Sequence, residues 1–362
     1  MNEKHVVVAM SGGVDSSVAA AIMVQQGYRV TGIMLKLWTA DCSPQENACC
    51  TSESINQARE VAGILGIPFY VIDARDEFKS AVVDRYIDMN YQGKTPNPCY
   101  WCNQTIRWGY LLDRALALGA DFLVTGHYAN ITKDKNNEYH LYKGIDLKKD
   151  QSYVLSGLNQ WQLAHTLLPL GSLTKDVVRE KAQELKLSVA GKPDSQDLCF
   201  IGNNNYRLFL EQNSGRTTNP GNIVDKSGNI IGFHEGLQNY TIGQRKGLGA
   251  GNKDPVYVVS KIIETNEIVV GSKNDLLFTR VKIGPMNWIS GVKPQKEMQY
   301  EVKIRYKAKP QPGKLSVAEP NYCYYQFLSP VRDATTGQIV VIYDKDEVIG
   351  SGEIVLAELE GE

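Results

Sequence analysis

The chain has 362 residues with a net charge of −1, from 39 Lys and Arg against 40 Asp and Glu, and is 43% hydrophobic. That length accommodates two or three domains with real cores, and the near-neutral balance excludes a global field, so nucleic-acid affinity has to come from local patches. No apolar stretch approaches the roughly 18 residues of a membrane span. Seven cysteines behind an N-terminus without a hydrophobic leader predict reduced thiols with chemical or metal-binding roles, and a cytoplasmic location.

In chain order, the apolar run His5 to Met10 predicts a buried strand, and Val14, Val18, Ala21 and Ile22 fall at helical spacing up to a stop at Gly27. A second strand is expected over 28–37. A loop with Cys42, Cys49 and Cys50 follows, then a helix whose apolar face runs from Ile55 to Leu65 and closes at Gly66. The pattern continues with a strand over 68–73, a helix over 78–91, a proline-broken segment over 95–103, a helix over 106–118 and a strand over 121–127. Strands alternating with helices predict an α/β fold with a parallel sheet covered on both faces, whose ligands sit beyond the carboxyl ends of the strands. Three features fall at such ends and define one crevice: the glycine loop after the first strand, Leu35 to Trp38 after the second, and Gly126-His127 after the fourth.

That glycine loop is Ala9, Met10, Ser11, Gly12, Gly13, Val14, Asp15, Ser16. Two adjacent glycines let the backbone approach an anion, the serines add hydroxyl donors, and the following helix favours negative charge at its N-terminus. Asp15 repels phosphate unless a cation such as Mg²⁺ joins the two. No lysine follows the glycines, which excludes the Gly-x4-Gly-Lys loop, and the spacing is not that of a dinucleotide fingerprint. The loop resembles the Ser-Gly-Gly-x-Asp-Ser motif of the ATP-pyrophosphatase (PP-loop) enzymes, which implies ATP and adenylation without naming a substrate.

Around Asn203 the texture becomes turn-rich. The expected division is a PP-loop domain over 1–202, a small linker domain over 203–277 and a C-terminal β-barrel over 278–362. In the barrel, Tyr300 to Lys309 alternates: Tyr300, Val302, Ile304 and Tyr306 on one strand face, Lys303, Arg305, Lys307 and Lys309 on the other. Four cations on one face suit a phosphate backbone, and equally a solvated surface. Cys99-x-x-Cys102 reads as half a zinc site or as reactive thiols, with adjacent Cys49-Cys50 a poor second pair for zinc. Cys199 lies in a polar loop, and Cys323 in a strand reads as core.

The ordered set of motifs resembles the tRNA-specific 2-thiouridylases over nearly the whole chain. It comprises Ser11-Gly-Gly-Val-Asp-Ser16, Thr95-Pro-Asn-Pro98 with Cys102-Asn103, Thr125-Gly-His-Tyr-Ala129, Lys149-Asp-Gln-Ser-Tyr153, Pro169-Leu-Gly171, Lys192-Pro-Asp-Ser-Gln196 with Cys199-Phe-Ile201, and Tyr240-Thr-Ile-Gly-Gln-Arg-Lys-Gly-Leu-Gly249. The resemblance implies ATP-dependent adenylation of the C2 oxygen of the wobble uridine, in tRNAs for lysine, glutamate and glutamine, followed by sulfur transfer from a persulfide. It implies Cys199 as persulfide carrier, Cys102 as the thiol that releases the sulfur, and residues 9–16, Leu35 and Gly126 as ATP contacts. Asn97, Pro98 and Cys99 are implied to face the target base, and His127, Lys149, Asp150, Gln151, Arg305, Tyr306 and Gln338 to contact tRNA. The implied partners are tRNA and a persulfide donor, with no resident metal beyond Mg²⁺ on ATP. The chain departs from many relatives in carrying Cys99 in place of an aspartate, Leu35 in place of methionine and Leu37 in place of asparagine. Cys99, Cys102 and Cys199 together also admit an iron–sulfur cluster, against which a mobile persulfide cycle is the favoured expectation. The rival readings are a PP-loop amidating ligase like argininosuccinate synthetase, which needs no cysteine pair, and a non-catalytic RNA-binding relative, which has no use for an intact Asp15 and Ser16.

Overall fold

The computed structural model describes residues 3–40, 51–193, 198–201, 205–248, 255–294, 298–319 and 321–359. The loop with Cys42, Cys49 and Cys50 lies outside them. The first strands are β1 (His5–Ala9), β2 (Arg29–Lys36), β3 (Phe69–Asp73), β4 (Phe122–Val124), β5 (Ala129–Lys133), β6 (Tyr139–Lys143) and β7 (Thr166–Leu167). A parallel sheet forms in the order β3-β2-β1-β4-β7. β1 sits at its centre because Val6, Val7 and Val8 are fully buried, with Val7 on one face and Val6 and Val8 on the other. Each such valine contributes about 1.5–3 kcal/mol of burial. The helix Val14–Gln25 covers one face together with Ser52–Leu65 and Lys175–Glu184. Thr51 caps the second of these through Ser54 N, and Gly66 ends it in the left-handed conformation.

On the other face the chain departs from the sequence reading. The proline-broken segment was expected to be non-helical, yet Pro98 is the first residue of a helix that runs through Pro98–Trp101, Cys102–Leu111 and Leu112–Ala117, with a π-helical middle. Proline is tolerated there because a first-turn N–H has no helical partner, and Asn97 caps the turn by accepting from Tyr100 N. The fourth strand is also shorter than expected, which leaves Gly126 and His127 beyond its end.

The middle of the chain forms a second sheet from β8 (Gly221–Val224), β9 (Ile230–His234), β10 (Tyr257–Ile262) and β11 (Glu267–Gly271), in the order β10-β11-β8-β9. The last part contains β12 (Leu277–Ile283), β13 (Asn287–Trp288), β14 (Met298–Lys303), β15 (Gln311–Glu319), β16 (Tyr322–Arg332), β17 (Ile339–Asp344) and β18 (Glu347–Leu359). The order β12-β16-β15-β14-β17-β18 closes on itself through β18–β12 pairing, a barrel without free edges. Cys323 is buried in its core, as read from the sequence.

The long cationic strand is not formed. β14 ends at Lys303, because Val302 pairs with Gln311 and the chain must reverse between them to make the β14–β15 hairpin. Lys303 therefore closes a strand, while Arg305, Tyr306 and Lys307 stand exposed on the turn. A second feature had no sequence signal. The β5–β6 hairpin of the first domain joins the barrel, with Tyr142 opposite Glu347 and Leu141 opposite Val348.

Candidate functional site

The glycine loop runs from the end of β1 into the helix Val14–Gln25. Its N-cap, Gly13, brings no side chain to the first-turn N–H groups, leaving orphan donors suited to an anion. Gly12 has φ +68, and a Cβ there would lie 2.4 Å from Ser54 O, so only glycine fits between the loop and the neighbouring helix. Ser16 Oγ accepts from Ser11 N at 3.1 Å and donates to Gly13 O at 3.2 Å, while Ser17 Oγ donates to Gly13 O at 2.8 Å. These bonds fix the loop from within. Gly126 follows β4 next door, where a Cβ would meet Asp15 C at 2.7 Å and Ser16 N at 2.8 Å. Leu35 lies near the end of β2 on the other side. The three strand ends thus form one crevice, as expected for a sheet whose β2 and β4 flank β1.

Sequence reasoning missed the lysines that reach this loop. Lys175 Nζ donates to both carboxylate oxygens of Asp15, at 2.8 and 2.9 Å, and Tyr128 OH donates to Oδ1 at 2.7 Å. Lys192 Nζ donates to Gly12 O at 3.0 Å and to Gln57 Oε1 at 2.7 Å. Neither lysine could be tied to the loop from spacing, since they lie 160 and 180 positions from their partners. The one faint signal is that Lys192 opens the motif Lys192-Pro-Asp-Ser-Gln196. For Mg²⁺ the loop offers the Asp15 carboxylate, which keeps a lone pair beyond the three hydrogen bonds it accepts from Lys175 and Tyr128 and is one-third exposed. That fits a metal carried mainly by phosphates. Among the described residues, a separate group able to hold a cation is Asp134, Glu138 and His140 on the β5–β6 hairpin.

Cys99 and Cys102 lie one turn apart on the same helix, Cys99 exposed and Cys102 buried. Cys102 and Cys199 enter one apolar cluster with Phe78, Tyr86, Phe200 and Phe209, Cys199 half-buried at its side. Cys99 faces the barrel instead. Burial pushes the Tyr306 phenol up to about 12, and negative charge at Asp150 and Cys99 opposes its ionisation further. Gln338 Nε2 donates to Thr95 O, and Thr95 N to Thr336 O, both at 2.9 Å, so the barrel clamps the segment carrying Asn97 and Pro98.

The remaining candidates divide into exposed and engaged groups. His127 is buried: Arg107 donates to its Nε2 at 2.9 Å, so Nδ1 carries the proton and donates to Thr125 Oγ1 at 2.7 Å. Burial and the Arg107 charge hold its pKa well below the ordinary 6.5, and the ring is a neutral, satisfied group. Asp150 is buried too, accepting from Gly144 N, Ser152 N and Ser152 Oγ and facing Lys303 Nζ at 3.5 Å. Gln151 Oε1 accepts from Tyr128 N. Lys149 is half-exposed beside them, and Arg305 is exposed with Asp333 at 3.6 Å.

Three family models match: "tRNA methyl transferase HUP domain" over residues 4–203, "tRNA methyl transferase PRC-barrel domain" over 207–272 and "Aminomethyltransferase beta-barrel domain" over 278–354. Among curated proteins, the tRNA-specific 2-thiouridylase MnmA of Heliobacterium modesticaldum is 45% identical over 358 residues, covering 98% of this chain and 93% of the relative. That of Acetivibrio thermocellus is 43% identical, covering 98% and 100%. Among solved structures, the U34-tRNA thiolase NcsA from Methanococcus maripaludis aligns at a TM-score of 0.34 and 20% identity, over 58% of this chain and 64% of that one. Full-length identity at this level, carried by a chain whose glycine loop and cysteines fold into place, means that the protein belongs to the family of tRNA-specific 2-thiouridylases.

Proposed function

We propose that the protein is an ATP-dependent tRNA uridine 2-sulfurtransferase acting on the wobble uridine of tRNAs for lysine, glutamate and glutamine, with 1–202 as catalytic domain, 203–277 as linker and 278–362 as barrel. The glycine loop, with Leu35 and Gly126 at its sides, binds ATP, and Mg²⁺ on the phosphates would supply charge neutralisation there. The uridine C2 oxygen attacks the α-phosphorus, pyrophosphate leaves, and the carbon becomes open to a sulfur nucleophile. Cys199 carries the persulfide. The Cys102 thiolate attacks its inner sulfur, the S–S bond breaks toward the outer sulfur, and the released hydrosulfide displaces AMP. A Cys102–Cys199 disulfide remains, to be reduced by an external thiol before the next cycle.

The observation that carries this reading is the packing of Cys102 and Cys199 into one cluster. An amidating ligase has no use for such a pair. Asn97, Pro98 and Cys99 would face the base, and the exposed Arg305 and Tyr306 with the half-exposed Lys149 the tRNA. His127, Asp150, Gln151 and Gln338 would act behind them, by holding the segments that do the contacting. Mass spectrometry of wobble nucleosides from a deletion strain tests the activity: persistence of 2-thiouridine at wild-type level removes it. Mapping a Cys102–Cys199 disulfide after a single turnover tests the route.

A further inference from the structure

A carboxylate in a phosphate-binding loop is an electrostatic problem, and the structure contains an answer to it that does not involve a metal. Lys175 keeps only 9% side-chain exposure, sits within 2.9 Å of both Asp15 oxygens and lies 6.0 Å over the Tyr128 ring. Tyr128 OH holds Oδ1 from a second direction. Asp15 itself remains one-third exposed on the loop. The pair is therefore screened from water at the lysine and partly open at the carboxylate, and attraction in such a place exceeds that of a surface pair.

We infer that Lys175 is the charge-compensating residue of the ATP loop. It neutralises Asp15, so that the orphan N–H groups of the helix act on phosphate without a repelling carboxylate. Metal on the phosphates then assists binding rather than permitting it. The inference rests on the reading of this loop as an ATP site.

The test is equilibrium binding of ATP by calorimetry, without tRNA, in Mg²⁺ and in EDTA. Wild type is expected to lose no more than about tenfold affinity on metal removal, and K175M more than about a hundredfold, because Asp15 is then uncompensated. The D15N/K175M double variant should return to the wild-type ratio. D15N alone should bind metal-free ATP more tightly than wild type, because the loop then carries one negative charge fewer. That arm decides should K175M fail to fold. An equal metal dependence in K175M and wild type, or weaker metal-free binding by D15N, overturns the inference while leaving the ATP site intact. Failure of wild type to bind Mg-ATP removes both.

Discussion

Cys102 is buried on a helix and Cys199 flanks the same apolar cluster, whereas Cys99, one turn away, is exposed on the barrel side. Cys102→Ser and Cys199→Ser are therefore each expected to abolish 2-thiouridine in tRNA, and Cys99→Ser to retain a substantial fraction, as read by nucleoside mass spectrometry. Equal loss in all three, with stoichiometric iron in anaerobically purified protein, would instead favour a cluster. His127 gives a second expectation. Its folded pKa is depressed below 6.5 by burial and Arg107, so the unfolded chain takes up a proton that the folded one refuses. Its contribution to stability is complete above about pH 6.5 and is lost as pH falls from there toward the folded value. A neutral His127→Gln variant should show a shallower decline of melting temperature between about pH 6.5 and 5. An unchanged slope would mean that the ring takes up its proton equally in the folded and unfolded chain.

At the scale of elements, the β14–β15 turn changes what the barrel offers to nucleic acid. Lys303 faces the buried Asp150, and only Arg305, Lys307 and Lys309 project outward. Neutralising Lys303, Arg305 and Lys307 together should flatten the salt dependence of tRNA binding by about two units rather than three, since one of these cations is not available to phosphate. The Arg305 and Lys307 double variant should give the same slope as the triple. On the opposite side of the site, the approach of the β4 end to the glycine loop leaves no space for a Cβ at Gly126. Gly126→Ala should weaken ATP binding by at least about tenfold, roughly 1.4 kcal/mol, with unchanged circular dichroism. Unchanged affinity would place ATP away from this strand end.

The first part of the chain and the barrel share one core. Trp101, Trp108 and Tyr153 share a core with Ile339, Val341 and Tyr343 of the barrel, the β5–β6 hairpin extends its sheet, and Tyr153 OH donates to Ile339 O at 2.6 Å. Tyr100 OH pairs with Ser351 Oγ at 3.0 Å across the same boundary. Asp150 lies at this junction, so Asp150→Ala, which strands Lys303 and three donors, should cost about 3–5 kcal/mol and lower a single cooperative melting transition. Two resolved calorimetric transitions, one for the barrel and one for the part of the chain before it, would contradict the shared core. A chain ending at residue 277 should lack cooperative melting, because it exposes the face formed by those aromatic residues.

Local signals determined a large part of this protein. The valines of β1, the glycine pair, the stop at Gly66 and the alternation of strands and helices were legible because backbone sterics, capping and hydrophobic period act within a few residues. They sufficed for the α/β class and for the crevice at three strand ends. The ordered motifs carried the family. What the chain alone could not decide was which charges meet. Lys175 finds Asp15 across 160 residues, Lys192 finds Gly12 across 180, and Lys303 turns inward to Asp150 instead of out to solvent. The alternation over Tyr300 to Lys309 predicts a ten-residue cationic strand, yet it stops just beyond the point where Val302 pairs with Gln311. Pairing register and long-range ion pairs depend on the closure of the whole chain, and no periodicity along the sequence encodes that closure.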